Sequence, residues 1–225
     1  MRIVALIPAH DEAGRIAATV AAARSIGGID RVIVVDDGST DETSRLAEDA
    51  GAEVVRLATN AGKGAALDAG ALRAQDADVL LLLDADVGQT AEQGSLLLAP
   101  VLAGTADVTI ATFPRAIGKA GFGLVKGIAR WGIAHFGRGF QASAPLSGQR
   151  ALSRAAVEAV RPFSTGYGVE VAMSIRALRA GMRLVEVPTT MTHAATGRDV
   201  AGFVHRGRQF VHVLLALIDV ALERR

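Results

Sequence analysis

The chain of 225 residues has no cysteine. That excludes a disulfide scaffold, a thiolate metal centre and a cysteine nucleophile, and it suits a reducing cytoplasm. It also has no apolar run long enough to span a bilayer. The best, FVHVLLALIDVAL at 210–222, is interrupted by His212 and Asp219. At ~1.5 Å per residue it reaches roughly 20 Å of a ~30 Å hydrocarbon layer. It reads as a packed C-terminal helix, with an apolar face on which a second copy could pair. The opening MRIVALIPAHDE lacks a cleavage site and is too short in its apolar part for a secretory signal.

Acidic residues are missing from one long block. None lies between Asp107 and Glu158, while Arg115, Lys119, Lys126, Arg130, Arg138, Arg150 and Arg154 all do. The block carries +7 and the remainder −6, against a net charge of +1. Such asymmetry implies an anionic partner for one face, and nucleic acid is not the expected one.

What is present is a chain long enough for one domain with a substantial core, half of it hydrophobic and with 25 glycines for tight turns. Its first 112 residues alternate apolar runs with helix-like stretches, the pattern of a parallel α/β sheet. RIVALIP, RVIVVDD, AEVVRL, DVLLLLD and DVTIAT read as strands. Helices are expected over 14–26, from a Ser39 or Thr40 cap through about Glu48, over GKGAALDAGALRAQ with a face of small residues, and near 92–103. Residues 116–138 read as an amphipathic helix, with a basic stripe of Lys119, Lys126 and Arg130 opposite Phe122, Leu124, Val125, Ile128, Trp131 and Phe136. Such a helix suits peripheral contact with anionic lipid. APLSGQRALS gives a short extended piece and a helix start, GVEVAMSIRALRAG a helix, RLVEVP a strand and 202–222 the last helix. The fold expected is one α/β domain over 1–225: a Rossmann-like, mostly parallel sheet flanked by helices. Residues 1–112 form its nucleotide-binding half and 113–225 a mixed acceptor half.

In open parallel sheets ligands sit outside the carboxyl ends of the strands. PAHDE, DDGSTD and DAD all fall at such ends. In extended backbone Asp84 and Asp86 face one side, with Ala85 turned away. Two carboxylates so close repel. A hard divalent cation, Mg²⁺ or Mn²⁺, removes the conflict and brings phosphate oxygens with it. A dinucleotide oxidoreductase is disfavoured, because no G-x-G-x-x-G follows the first strand.

PAHDE, VVDDGSTDET, NAGKGAAL and LLLLDAD, in that order and spacing, resemble the family 2 glycosyltransferases of the GT-A fold. SGQRALSR and RLVEVPTT are similar to the polyprenyl-phosphate (dolichyl-phosphate) sugar synthases, and GYGVEVAM with a downstream histidine resembles the glucosyl-3-phosphoglycerate synthases. The resemblance implies that Pro8, Ala9 and Glu12 line the nucleotide-sugar pocket, with His10 where relatives carry an aromatic. It further implies that Asp37 binds the base, that Lys63 sits beside base or ribose, and that Asp84 meets ribose or metal. Ala85 belongs to the donor pocket, and Asp86 ligates the metal with His193 as a third ligand. Glu170 and Arg150 join Asp86 as catalytic candidates, Glu170 as the base a hydroxyl acceptor would need. Arg198, Arg206 and Arg208 are candidate grips for an acceptor phosphate; His205 is structural or phosphate-facing.

Neither the Gln-x-x-Arg-Trp motif of processive synthases nor the paired membrane helices of many lipid-linked relatives is present, which favours a single addition. The leading expectation is metal-dependent transfer of a sugar from a UDP- or GDP-sugar to polyprenyl phosphate at the cytoplasmic membrane face. The alternatives are transfer to a small soluble acceptor such as 3-phosphoglycerate, and a non-catalytic sugar-nucleotide-binding protein.

Overall fold

A computed structural model describes residues 1–113, 123–164, 168–192 and 200–223, with the backbone alone for 200–210. Four strands run parallel: β1 (Ile3–Ala9), β2 (Ile29–Asp36), β3 (Glu53–Arg56) and β4 (Val79–Leu82). Between them pass α1 (Ile16–Ser25), α2 (Thr43–Asp49) and α3 (Lys63–Arg73). A 3₁₀ turn (Gly88–Gln93) and α4 (Gly94–Leu102) then lead to β5 (Val108–Thr112). The second half adds α5 (Gly123–Phe136), β6 (Arg150–Ser153), α6 (Arg154–Val160), α7 (Val169–Arg179), β7 (Leu184–Pro188) and α8 (Val200–Leu222).

Among the described residues seven strands form one sheet in the order β3-β2-β1-β4-β6-β5-β7. Only β6 is reversed, pairing antiparallel with both β4 and β5. Both faces of the sheet are covered, so its strands read as continuous apolar runs rather than alternating ones. Leu6, Ile33, Leu80 and Leu82 pack towards α3, α5, α7 and α8. Ile7, Val34, Leu81 and Leu83 pack towards α1 and α4. The small residues of α3 let it lie close to the sheet: a Cβ on Gly70 would meet the Leu6 and Val35 side chains at 2.1 and 2.9 Å.

Two helical expectations are corrected. Helix α2 begins at Thr43 rather than at a Ser39 or Thr40 cap. Ser39 is used elsewhere: its amide donates to Asp36 Oδ1 (2.8 Å) and its Oγ accepts from the Asp11 amide (3.0 Å), stitching the loop after β2 to the loop after β1. On α5 the expected apolar face is split. Val125, Ala129 and Ile133 turn into the core, whereas Leu124 and Trp131 face outward. Arg130 is no lipid-facing cation, since its guanidinium donates to the Ala142 and Ser143 carbonyls, both at 3.0 Å. Lys119 and Phe122 lie outside the described residues.

Candidate active site

Strands β1, β2 and β4 each run into polar residues at or just beyond their ends, because the apolar run must stop where the sheet meets solvent. Their ends adjoin, so the three polar stretches meet at one rim. There Pro8, Ala9, His10, Glu12, Asp37, Lys63, Ala66, Asp84, Ala85 and Asp86 line a cleft of about 260 Å³. The eight residues singled out in sequence for the nucleotide sugar, together with Asp86, are thus brought to one place.

Backbone geometry fixes the Asp37 wall of this cleft. Gly38 holds φ at +72°, and a Cβ there would lie 2.6 Å from the Thr59 carbonyl carbon, so only glycine fits. That turn presents Asp37, whose carboxylate accepts the amides of Ala61 (2.7 Å) and Gly62 (2.8 Å) and ties β2 to the start of α3. Asp36, fully buried behind it, keeps its carboxyl below the usual range. Burial alone would raise it, but hydrogen bonds from Ser39 and Ser44 and the nearby Arg56 outweigh that. Glu12 is held through its amide, which donates to Thr43 Oγ1 at 2.8 Å.

The Asp-x-Asp departs from its expected geometry. Strand β4 stops at Leu82, and Asp84, Ala85 and Asp86 lie in the turn beyond it rather than in extended backbone. Asp84 faces Lys63 and Gln149. Its Oδ1 accepts from Lys63 Nζ at 2.6 Å and its Oδ2 from Gln149 Nε2 at 2.7 Å. Both oxygens therefore already serve protein donors, an arrangement suited to orienting Asp84 more than to ligating a metal. Asp86 lines the same cleft as Glu12. Burial, and next the Asp86 charge, push the Glu12 carboxyl above its ordinary value.

Lys63 joins the two halves of the chain. Besides Asp84, its ammonium donates to Glu170 Oε1 at 2.7 Å, from the first turn of α7. Burial acts to lower the Lys63 pKa, yet the two carboxylates prevail and raise it, so the ammonium stays charged.

Arg150, expected among the catalytic groups, does not line the cleft. It is fully buried at the start of β6, with Nε donating to the Ser147 carbonyl (2.9 Å) and Nη1 to Ser174 Oγ (3.0 Å). Burial pushes its pKa down to about 10, while Glu170 and Asp84 act to hold it up. It serves as a buried counter-charge beneath the acidic groups. His193 and Arg198 lie outside the described residues. Arg206 and Arg208 fall on α8, where the backbone alone is described.

Two residues at this site were missed in sequence. Gln149 is fully buried and holds Asp84. Gly148 gives the close approach this needs: a Cβ there would lie 2.6 Å from both Asp84 Oδ1 and Lys63 Nζ. Nothing in SGQR marks either role, because the contact spans 65 positions.

The residues suit a hard divalent cation, since Asp86 and Glu12 both offer carboxylate oxygens in the cleft. Among the described residues, no three His, Asp or Glu side chains converge into a preformed cage. An ion there would draw further ligands from a bound diphosphate and water.

A mostly parallel sheet bearing an acidic strand-end turn over a nucleotide-sized cleft, with one reversed strand leading to the second half, is the GT-A glycosyltransferase fold. The profile described as Glycosyl transferase family 2 matches residues 4–153, and the chain belongs to that family. It is 32% identical over 202 residues to glycosyltransferase AglJ of Haloferax volcanii, covering 86% of this chain but only 64% of that protein. It is 31% identical to the undecaprenyl-phosphate mannosyltransferase of Micrococcus luteus, over 88% of this chain and 87% of the relative. Among solved structures, glucosyl-3-phosphoglycerate synthase from Mycobacterium tuberculosis, in complex with Mn²⁺, UDP and phosphoglyceric acid, superposes with a TM-score of 0.82. That match, at 25% identity, covers 100% of this chain and 80% of the other. Among the described residues, no helix is long and apolar enough to cross a membrane.

Proposed function

We propose that this chain transfers one sugar from a nucleoside diphosphate to the phosphate of a polyprenyl phosphate, with Mg²⁺ or Mn²⁺ bound at Asp86. The observation that carries the acceptor class is the pairing of Glu170 with Lys63. Glu170 is the carboxylate best placed to serve as a base, and it is buried against an ammonium. A hydroxyl acceptor calls for a base; a phosphate monoester does not, because with a second pKa of ~6 it is already largely ionised. The identity to a mannosyltransferase acting on undecaprenyl phosphate supports the same reading.

Within the cleft, Asp37 and Pro8 to His10 would hold the nucleotide, and Asp84 would meet its ribose. Lys63 and Gln149 would fix the orientation of Asp84 before any ligand arrives, which lowers the cost of binding. The cation, when bound, neutralises charge developing on the departing diphosphate. Its ligand from the described residues would be Asp86 with Glu12 beside it, and His193 is the proposed third. The acid-free block would draw in the anionic acceptor, and Arg198, Arg206 and Arg208 are proposed to grip its phosphate.

Transfer to 3-phosphoglycerate is the second reading, favoured by the superposition on a synthase holding phosphoglyceric acid. Purified chain with Mn²⁺ and a panel of UDP- and GDP-sugars decides between them. A lipid-extractable sugar phosphate is expected with polyprenyl phosphate in detergent, and no product with 3-phosphoglycerate. The reverse outcome would select the soluble acceptor; tight donor binding with neither transfer nor donor hydrolysis would mean a binding protein.

Orientation of Asp84 has its own test. Gln149→Leu removes one donor to the part-buried Asp84 Oδ2, a loss of about 1 kcal/mol. The KM for the donor should rise about tenfold, with kcat less affected. An unchanged donor KM would reduce Gln149 to core filling.

A further inference from the structure

Over 211–222, helix α8 is apolar on both sides. Val213, Ala216, Leu217 and Val220 point into the core. Val211, Leu215, Ile218 and Leu222 point outward and are 50–73% exposed, with Leu214 beside them. A surface helix ordinarily turns a polar face to water, and one that is hydrophobic all round is normally buried. The outer residues follow intervals of four, three and four. That spacing keeps them in one narrow stripe, as in the seam between two packed helices. Helix α5 packs closely alongside: a Cβ on Gly132 would lie 2.2 Å from Leu217 Cδ2. From α5, Leu124 and Trp131 are also exposed, at 69% and 59%.

Charge decides what covers this face. An interfacial helix on anionic lipid carries Lys and Arg along its polar flank. Along the stripe itself, residues 209–223, there is neither, the nearest arginines standing beyond its ends at 206, 208, 224 and 225, while Asp219 and Glu223 lie within it. Arg130 of α5 is held by the Ala142 and Ser143 carbonyls. The stripe therefore suits a protein helix of matching spacing, and a second copy of this chain presents one. A two-fold axis across the stripe sets the same residues of both copies against each other. The side chains concerned offer several hundred Å² per copy, of the order of the ~800 Å² per partner in a stable interface.

We propose that two copies of this chain pair through the outer face of α8, with Leu124 and Trp131 of α5 at its edge. The pairing is independent of the donor and acceptor assignments above.

Light scattering of the full chain should give about twice the 23.2 kDa of one copy at micromolar concentration. Leu215→Glu with Ile218→Glu places charges inside the seam and should weaken pairing at least ~100-fold, giving a single copy with an unchanged circular dichroism spectrum. Leu72→Glu, at a site exposed elsewhere on α3, should leave the pair intact. The absence of native cysteine allows a second test, whatever the folding of the charged variant. Leu215→Cys with Ile218→Cys should cross-link two chains under mild oxidation, in either relative helix direction. A single copy at 100 µM, a charged variant that stays paired, or failure to cross-link would each overturn the proposal. So would flotation on anionic vesicles that the two glutamates abolish, since lipid would then be the occupant.

Discussion

Replacing Asp86 with alanine should lower sugar transfer by about 10³-fold, within the range measured when one preorganised charge-stabilising group is removed. The melting temperature should not fall. Asp86 lies in a turn beyond the last residue of β4, half-exposed to the cleft, and forms no part of the sheet. It also acts to raise the Glu12 carboxyl, so its removal relieves a repulsion. The sign follows from linkage. A carboxyl raised in the folded state binds more protons there than in the unfolded chain, so stability drops as pH climbs through its titration. Asp86→Ala should therefore melt slightly higher than wild type at pH 8 and no differently at pH 4. Kinetics with saturating Mn²⁺ and thermal melts at the two pH values check both halves. A variant keeping most of its activity would remove the metal from Asp86.

Lys63→Met should be nearly as damaging to turnover, by at least ~100-fold, and it should also cost stability. Here the pH dependence separates an electrostatic role from simple packing. In wild type, the raised Lys63 pKa means that its stabilisation is fully present below the ordinary lysine range, so it contributes no slope between pH 5 and 8. In the variant, Asp84 and Glu170 face each other without the ammonium that both had bonded, at 2.6 and 2.7 Å. Like charges raise each other's pKa, so the folded chain now retains a proton. Stability should then fall as pH rises from 5 to 8. The drop in melting temperature relative to wild type should be larger at the higher value. An equal drop at both would mean that Lys63 only fills space.

Much of the donor half was legible because its signals are local. A buried parallel strand is an apolar run that ends in polar residues, and the sequence showed such runs at β1, β2 and β4 with the cleft residues directly behind them. The reversal of β6 was not legible. Four residues of alternating size carry no mark of direction, and only pairing with β4 and β5 sets it. Gln149 and Gly148 stayed hidden for the same reason, since their partners lie far off in the chain. For Arg150 the motif names the residue but not its surroundings, since only the fold shows that it is fully buried beneath protein carboxylates. On α5, helical periodicity located the apolar residues but could not tell which of them the α8 contact would cover.

The reversed strand has one more effect. Since β6 runs against β5, the last residues of one strand lie beside the first of the other: Ile110 pairs with Arg150, and the Ala111 amide donates to the Gln149 carbonyl at 3.0 Å. The chain therefore leaves the scaffold after Thr112 and returns to it at Gly148 and Gln149, at neighbouring points. Lengthening such an excursion adds only about 0.6 kcal/mol of closure entropy for each doubling. Such a stretch can lengthen at little cost to the cleft lined from β1, β2 and β4, provided that Gly148 and Gln149 keep their places against Asp84.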